Sequence, residues 1–379
     1  MKVVVVGAGF AGIAAAFAAR HAGASVSVVQ YRPGASALYA GAVDGELGEI
    51  DPAFHELLAA LGLRVDERTV VATREGVIRR AHGSDTALLD LAPLAGKRVG
   101  LVDVPRDDWD GPLLVRSFRD SAWARSTSTR FDLVPLELLE KSHQRRVSPF
   151  DFAASFERAE RPAWLNEVLK ANAGPDAWLF GPWLGVKRPL AAELSASLGV
   201  PVGEVTSPPG GVAGARFEAR SDALLAALAA ELVSERVVEV SLEADGVSLR
   251  LDGGRILSGD ALVLAAGGFV SGAIELSGAL SGAEPAGFRL AIEGLPSVRA
   301  RGEVSRSVSS LFGVDLAARG RRLLEQVGLP VSAEGRVLET NRVFAAGDVL
   351  GTALPSVGHA LTSGLRAGAA AAAARQSEP

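Results

Sequence analysis

The chain has 379 residues, 48% hydrophobic and 22% charged, a globular balance that excludes a disordered or fibrous chain and, by length, predicts two or three domains. Its 39 basic and 44 acidic residues leave a net charge of −5, without the basic excess of a nucleic-acid-binding face. Cysteine is absent, which excludes disulfides, thiolate metal sites, cysteine nucleophiles and cysteine-held iron–sulfur clusters within this chain.

Lys2 is followed by an uncharged, mostly apolar run over residues 3–19, the outline of a secretory signal. Gly7, Gly9 and Gly12 interrupt it and suit a different structure. The valine run 3–6 reads as a buried parallel strand, residues 11–22 as a helix ending before Gly23, and residues 26–29 as a second strand. This is a βαβ unit, the opening of a doubly wound sheet. Pro52 near its start and Gly62 beyond its end predict a helix over 51–61. Residues 70–73 and 77–80 flank an Arg-Glu-Gly turn and predict a hairpin; 98–104 is a further strand.

From there to about residue 209 the composition shifts. All five tryptophans lie in this stretch, with a predicted helix over 163–173, a strand over 177–180 and a Pro-Pro-Gly-Gly loop at 208–211. A helix is expected over 220–234. Residues 237–241, 247–251 and 255–257 alternate around Asp-Gly and Gly-Gly turns as a three-stranded meander. A buried strand over 261–265, another at 343–346 and a final helix over 360–374 complete the series. The fold class expected is α/β: a Rossmann-like FAD/NAD(P)-binding domain with an inserted second α/β lobe. Its boundaries are drawn at 1–84 and 216–379 for the binding domain and 85–215 for the insert.

Three strings carry chemistry. Gly7-x-Gly9-x-x-Gly12, with Phe10 and Ala11 inside it, lies between a strand and a helix. There the glycines allow a tight turn, close approach of a pyrophosphate and close helix packing. The second strand ends in Gln30, where an acidic residue would hold the adenosine ribose; a neutral amide makes weaker hydrogen bonds than a carboxylate. Ala266-Gly267 closes a later strand, and Gly347-Asp348 closes the last. A carboxylate there can accept hydrogen bonds from the ribityl chain of a flavin. The small-residue loop from Ser36 to Gly41 offers backbone N–H groups to a flat ring or a phosphate. The order of these motifs is that of a flavoprotein.

That order resembles the fumarate-reductase-type flavoproteins. More narrowly, strings at 36–44, 73–79, 98–104, 180–185, 208–216, 263–272 and 343–351 resemble the flavin-carrier subunit of the anaerobic glycerol-3-phosphate dehydrogenase. The resemblance implies a flavin-dependent dehydrogenase subunit. It would oxidise sn-glycerol 3-phosphate to dihydroxyacetone phosphate or relay those electrons, beside a second flavoprotein subunit and an iron–sulfur subunit anchored at the membrane. It implies FMN, where the glycine fingerprint implies FAD; Val238 would line an adenine site if FAD is bound. Two other readings stay open: a stand-alone flavin oxidoreductase acting on an amine or hydroxy acid, and a non-catalytic scaffold subunit.

Of five histidines, His359 stands just before the last helix, where a base could take a hydroxyl proton. Arg216, with Lys187 and Arg188, is a candidate for an anionic substrate, since arginine binds phosphate bidentately. No metal-ligand cluster is apparent. The expected location is cytoplasmic, with membrane contact only through a partner.

Overall fold

The computed structural model describes residues 1–45, 47, 54–277, 287–300, 327–352 and 355–374. It divides into two compact units. The first holds residues 1–36, 45–52 and 221–379, the second residues 37–44 and 53–220. Residues 37–44, 54–84 and 216–220, expected with the first unit, therefore group with the second.

The first unit is built on five parallel strands. Strand β1 (Lys2–Val6) leads into helix α1 (Phe10–His21) and returns as β2 (Ser25–Val29). Strand β3 (Glu231–Val233) is followed by a meander of β4 (Val237–Leu242), β5 (Val247–Leu251) and β6 (Ile256–Gly259). Then come β7 (Ala261–Leu264), β8 (Val343–Ala345) and helix α2 (Val357–Ala373). The sheet order is β3-β2-β1-β7-β8, with every pair parallel. Strands far apart in the chain thus lie side by side, with β7 between β1 and β8, and the apolar run at residues 3–19 forms the central strand and its helix.

Burial explains why these runs are so uniformly apolar. Val3, Val4, Val5, Leu262, Val263 and Leu264 are fully buried, as central parallel strands covered on both faces must be. Helices α1 and α2 pack through small residues. A Cβ on Gly364 would lie 2.2 Å from the Ala11 carbonyl oxygen, and one on Gly368 2.2 Å from that of Ala15.

The second unit carries its own parallel sheet, in the order Val202–Glu204, Ala177–Phe180, Arg98–Asp103, Arg130–Pro135. Its core is aromatic: Trp109, Phe118, Phe131, Phe152, Trp178 and Trp183 are all buried. The predicted hairpin is present as Val70–Ala72 against Ile78–Arg80.

One element is displaced from its expected place. The helix expected at 220–234 is observed at Val212–Ala227, and β3 occupies the end of the expected span. The charged residues of its first turns resemble a solvated segment in sequence, but Arg216 is buried.

Candidate functional site

The register aligns Val6 with Leu264 and Leu264 with Ala345. Gly7, Ala265 and Ala346 therefore leave the sheet together at its carboxyl edge, where doubly wound folds bind ligands. Gly7 has φ +105°, and a Cβ on it would stand 2.2 Å from the Ala265 oxygen. Gly12 is just as tightly held: its Cβ would meet the Gly7 oxygen at 1.8 Å. Both contacts are with backbone, which cannot move aside. Gly9 faces a softer neighbour, the Ser36 hydroxyl, which accepts the Phe10 N–H at 3.1 Å. No acidic residue occupies the first turn of α1 and its N-cap is Gly9, so the positive end of the helix dipole is left for an anionic ligand.

Gly347-Asp348 is drawn against the same loop. Gly347 has φ +75°, and a Cβ there would lie 2.9 Å from that of Ala11. Its N–H donates to the Ser363 hydroxyl at 2.9 Å. A Cβ on Gly268 would stand 3.1 Å from that of Asp348. The Asp348 carboxyl is half-buried, and burial pushes its pKa up; among the described residues it has no hydrogen-bond or ionic partner. An unpaired, desolvated carboxylate is costly unless a ligand satisfies it. Next to it, Gly267 has φ +83° and the Ser271 hydroxyl donates to the Ala266 and Gly268 carbonyls at 2.9 and 3.0 Å.

Gln30 ends β2 with its N–H donated to Val233 at 2.9 Å, and no described residue bonds to its side-chain amide. Val238 stands at the β-bulge of β4, its carbonyl accepting the Glu293 N–H at 3.0 Å. His359 lies in the first turn of α2, its N–H received by the capping Ser356 hydroxyl at 3.2 Å. Its Nε2 is 3.4 Å from the Thr352 hydroxyl. Burial, and then the charge of Arg366, push its pKa down, so the ring is neutral at pH 7. Gly41 belongs to the second unit, where its carbonyl accepts from the Tyr39 hydroxyl at 2.8 Å and the Asp85 N–H at 2.7 Å.

Glycines closed to any Cβ, an acid-free helix start and a partnerless carboxylate on one sheet edge fit a flavin nucleotide. Residues 2–80 match the FAD binding domain family. The fold is thus Rossmann-like and FAD-binding, and its coenzyme is a flavin. No curated protein matches the sequence at a significant level. Among solved structures, AlpK is 15% identical with a TM-score of 0.35, covering 96% of this chain and 59% of its own. The Diels-Alderase PyrE3 of pyrroindomycin biosynthesis is 13% identical at 0.34, covering 96% and 63%. Iminodiacetate oxidase from Chelativorans sp. BNC1 is 14% identical at 0.34, covering 100% and 96%. The chain therefore spans about 60% of the length of the first two, and scores this low carry no argument about activity.

Arg216 does not serve the FAD-binding edge and is not offered to a substrate. Its side chain is fully buried in the second unit, where it ion-pairs with Glu204 and, at 3.4 Å, with Asp85, and donates to the Gly185 carbonyl at 2.9 Å. Arg220 pairs with the same Asp85 carboxylate at 3.3 Å. Burial opposes the Arg216 charge, but the Glu204 and Asp85 carboxylates outweigh it and hold the guanidinium protonated. Lys187 and Arg188 instead donate backbone N–H groups to the Glu157 carboxylate, at 2.5 and 2.8 Å. Sequence reading missed Ser363, which ties Gly347 to α2 while donating to the His359 carbonyl at 2.6 Å; a serine inside a helix gives no sign of this. The Gly364-x-x-x-Gly368 spacing did carry a signal of close helix approach.

Among the described residues no helix is long and apolar enough to cross a membrane.

Proposed function

We propose that this chain is a flavin-dependent oxidoreductase, and that it works as the flavin-holding subunit of a dehydrogenase oxidising sn-glycerol 3-phosphate. The carrying observation is the joint edge: Gly7 against Ala265, with Gly347 against Ala11. In it the Gly7–Gly12 turn and the start of α1 would hold the phosphate of the flavin nucleotide, and the Asp348 carboxylate would accept hydrogen bonds from the ribityl hydroxyls. When bound, the flavin supplies an acceptor for the hydride of a C–H bond. The chain's part is to orient the ring, keep water from it and take the hydroxyl proton. His359 is the base for that proton, because a neutral imidazole on the first turn of α2 can accept it.

The choice of substrate rests on the resemblance of the strings at 36–44, 73–79 and 343–351. So do the partners: a second flavoprotein subunit, and an iron–sulfur subunit that passes electrons onward at the membrane.

The test is to purify the chain, record its visible spectrum, identify the heat-released coenzyme, and mix the protein anaerobically with sn-glycerol 3-phosphate. A yellow protein that sn-glycerol 3-phosphate bleaches, alone or with its partner subunits, supports the reading. Colourless protein that takes up no added FAD or FMN overturns the flavin assignment; a yellow protein that only an amine or hydroxy acid bleaches overturns the substrate.

A further inference from the structure

The sheet of the second unit has a topology with its own consequence. Its first strand in the chain, Arg98–Asp103, has the next, Arg130–Pro135, on one side and the third, Ala177–Phe180, on the other. The direction of winding reverses at Arg98–Asp103, and in open parallel sheets ligands bind outside the carboxyl end of a strand so placed. A cleft of about 730 Å³ opens at that end, lined by Asp103 and the segment that follows it, with Arg74, Glu75 and Arg145. The volume is that of a small-molecule site. None of these residues belongs to the FAD-binding edge.

The lining decides what the cleft can take. The Arg106 guanidinium is buried and spent, donating to the Asp108 carboxylate at 2.9 and 3.1 Å and to the Gln144 and Val147 carbonyls at 3.0 and 2.9 Å. Arg145 is paired with Asp107 at 3.7 Å. What remains is Arg74, donating to the Asp108 carbonyl at 3.0 Å, against the carboxylates of Glu75, Asp103 and Asp110.

A phosphate would ordinarily seek the start of the helix Gly111–Arg119, but that place is filled. The Asp110 carboxylate accepts the Leu113 N–H at 2.9 Å, the Asp103 carboxylate takes the Gly111 N–H, and Pro112 has none to give. Gly111 is what lets Asp103 come so near, since a Cβ there would meet its Oδ1 at 2.4 Å. Burial, and then the Asp110 charge, push the Asp103 carboxyl up, the mark of an anion lacking a counter-charge. Pro112 and Leu113, both exposed, supply apolar wall beside it.

We propose that this cleft is a second ligand site, carried by the second unit, and that it takes a small organic ammonium ion whose N–H groups bond to Asp103 and Asp110 while its methylenes lie along Leu113.

The experiment is calorimetric titration of the full chain with 1,4-diaminobutane and, separately, with inorganic phosphate. The expected result is saturable binding of the diamine, weakened tenfold or more in Asp103→Asn, with no binding of phosphate. Asparagine can still accept the Gly111 N–H, so the fold should persist; if Asp103→Asn does not fold, Asp110→Asn, which keeps a capping side chain, gives the same reading. No binding of the diamine, binding that the foldable variants leave unchanged, or competition by phosphate overturns the proposal. Because these residues lie outside the FAD-binding edge, any of these outcomes is independent of flavin content.

Discussion

Gly364 of α2 lies so close to α1 that a Cβ on it would stand 2.2 Å from the carbonyl oxygen of Ala11. The obstacle is backbone of the helix that begins at the glycine turn, so relief would require α1 and α2 to separate. Gly364→Ala therefore gains about 1 kcal/mol of helix propensity but loses more to overpacking, which costs about 1–3 kcal/mol or above. The expected outcome is a thermal midpoint several degrees lower, with reduced flavin content, measured by calorimetry and by absorbance at the flavin band.

Asp348 separates binding from stability. Burial raises its carboxyl pKa in the folded chain. The native state then holds a proton that the unfolded state has released, so stability falls as pH rises from the ordinary carboxylate value through the raised one. Asp348→Asn should accordingly make the flavin-free protein more stable at pH 7, with the gain fading below about pH 4. The same variant should bind flavin about tenfold to a hundredfold more weakly, the worth of a charge-assisted hydrogen bond of roughly 1.5–3 kcal/mol. Thermal melts across pH and a flavin titration read the two effects apart; a flavin affinity that does not move would place the ribityl contact elsewhere.

Arg216→Ala should be among the most damaging single changes in the second unit. It strands Glu204 and Asp85, both fully buried, and breaking a buried ion pair on one side costs about 3–5 kcal/mol. Denaturant unfolding measures this directly. Were Arg216 a substrate ligand, the change would instead raise KM and leave the midpoint in place.

His359→Gln tests the base. The variant should keep its flavin spectrum and slow the reductive half-reaction by about a hundredfold or more. In the unsubstituted protein the rate should fall on the acid side, with a midpoint below the ordinary imidazole value of 6.5, because burial and Arg366 disfavour the charged ring. Stopped-flow reduction across pH reads both; full rates in the variant would remove His359 from the mechanism.

Much of the first unit is legible in the sequence because its signals are local. The valine run, the three glycines and the Gly347-Asp348 pair each fix a strand end or a turn by steric need, and the Asp-Gly and Gly-Gly turns mark the meander. The helix at Val212–Ala227 is not legible in this way. Arg216 looks like surface charge in one dimension, and only the distant Glu204 and Asp85 make its burial tolerable. For the same reason the division of the chain differs from the expected one. Nothing between residues 54 and 84 states which sheet it will join, although Gly83–Asp85, paired with Leu63–Val65 and Ala42–Val43, is also tied through Asp85 to Arg216 and Arg220 of the second unit.

The pairing of Val3 with Ala261 sets a clock on biosynthesis. Strand β1 is made before its neighbour β7, which lies 258 residues downstream, a delay of about 13–50 seconds at roughly 5–20 residues per second. Through that interval the most apolar stretch of the nascent polypeptide has no sheet to enter on one side. Shielding by a chaperone of the ribosome exit is what such an architecture asks of its host.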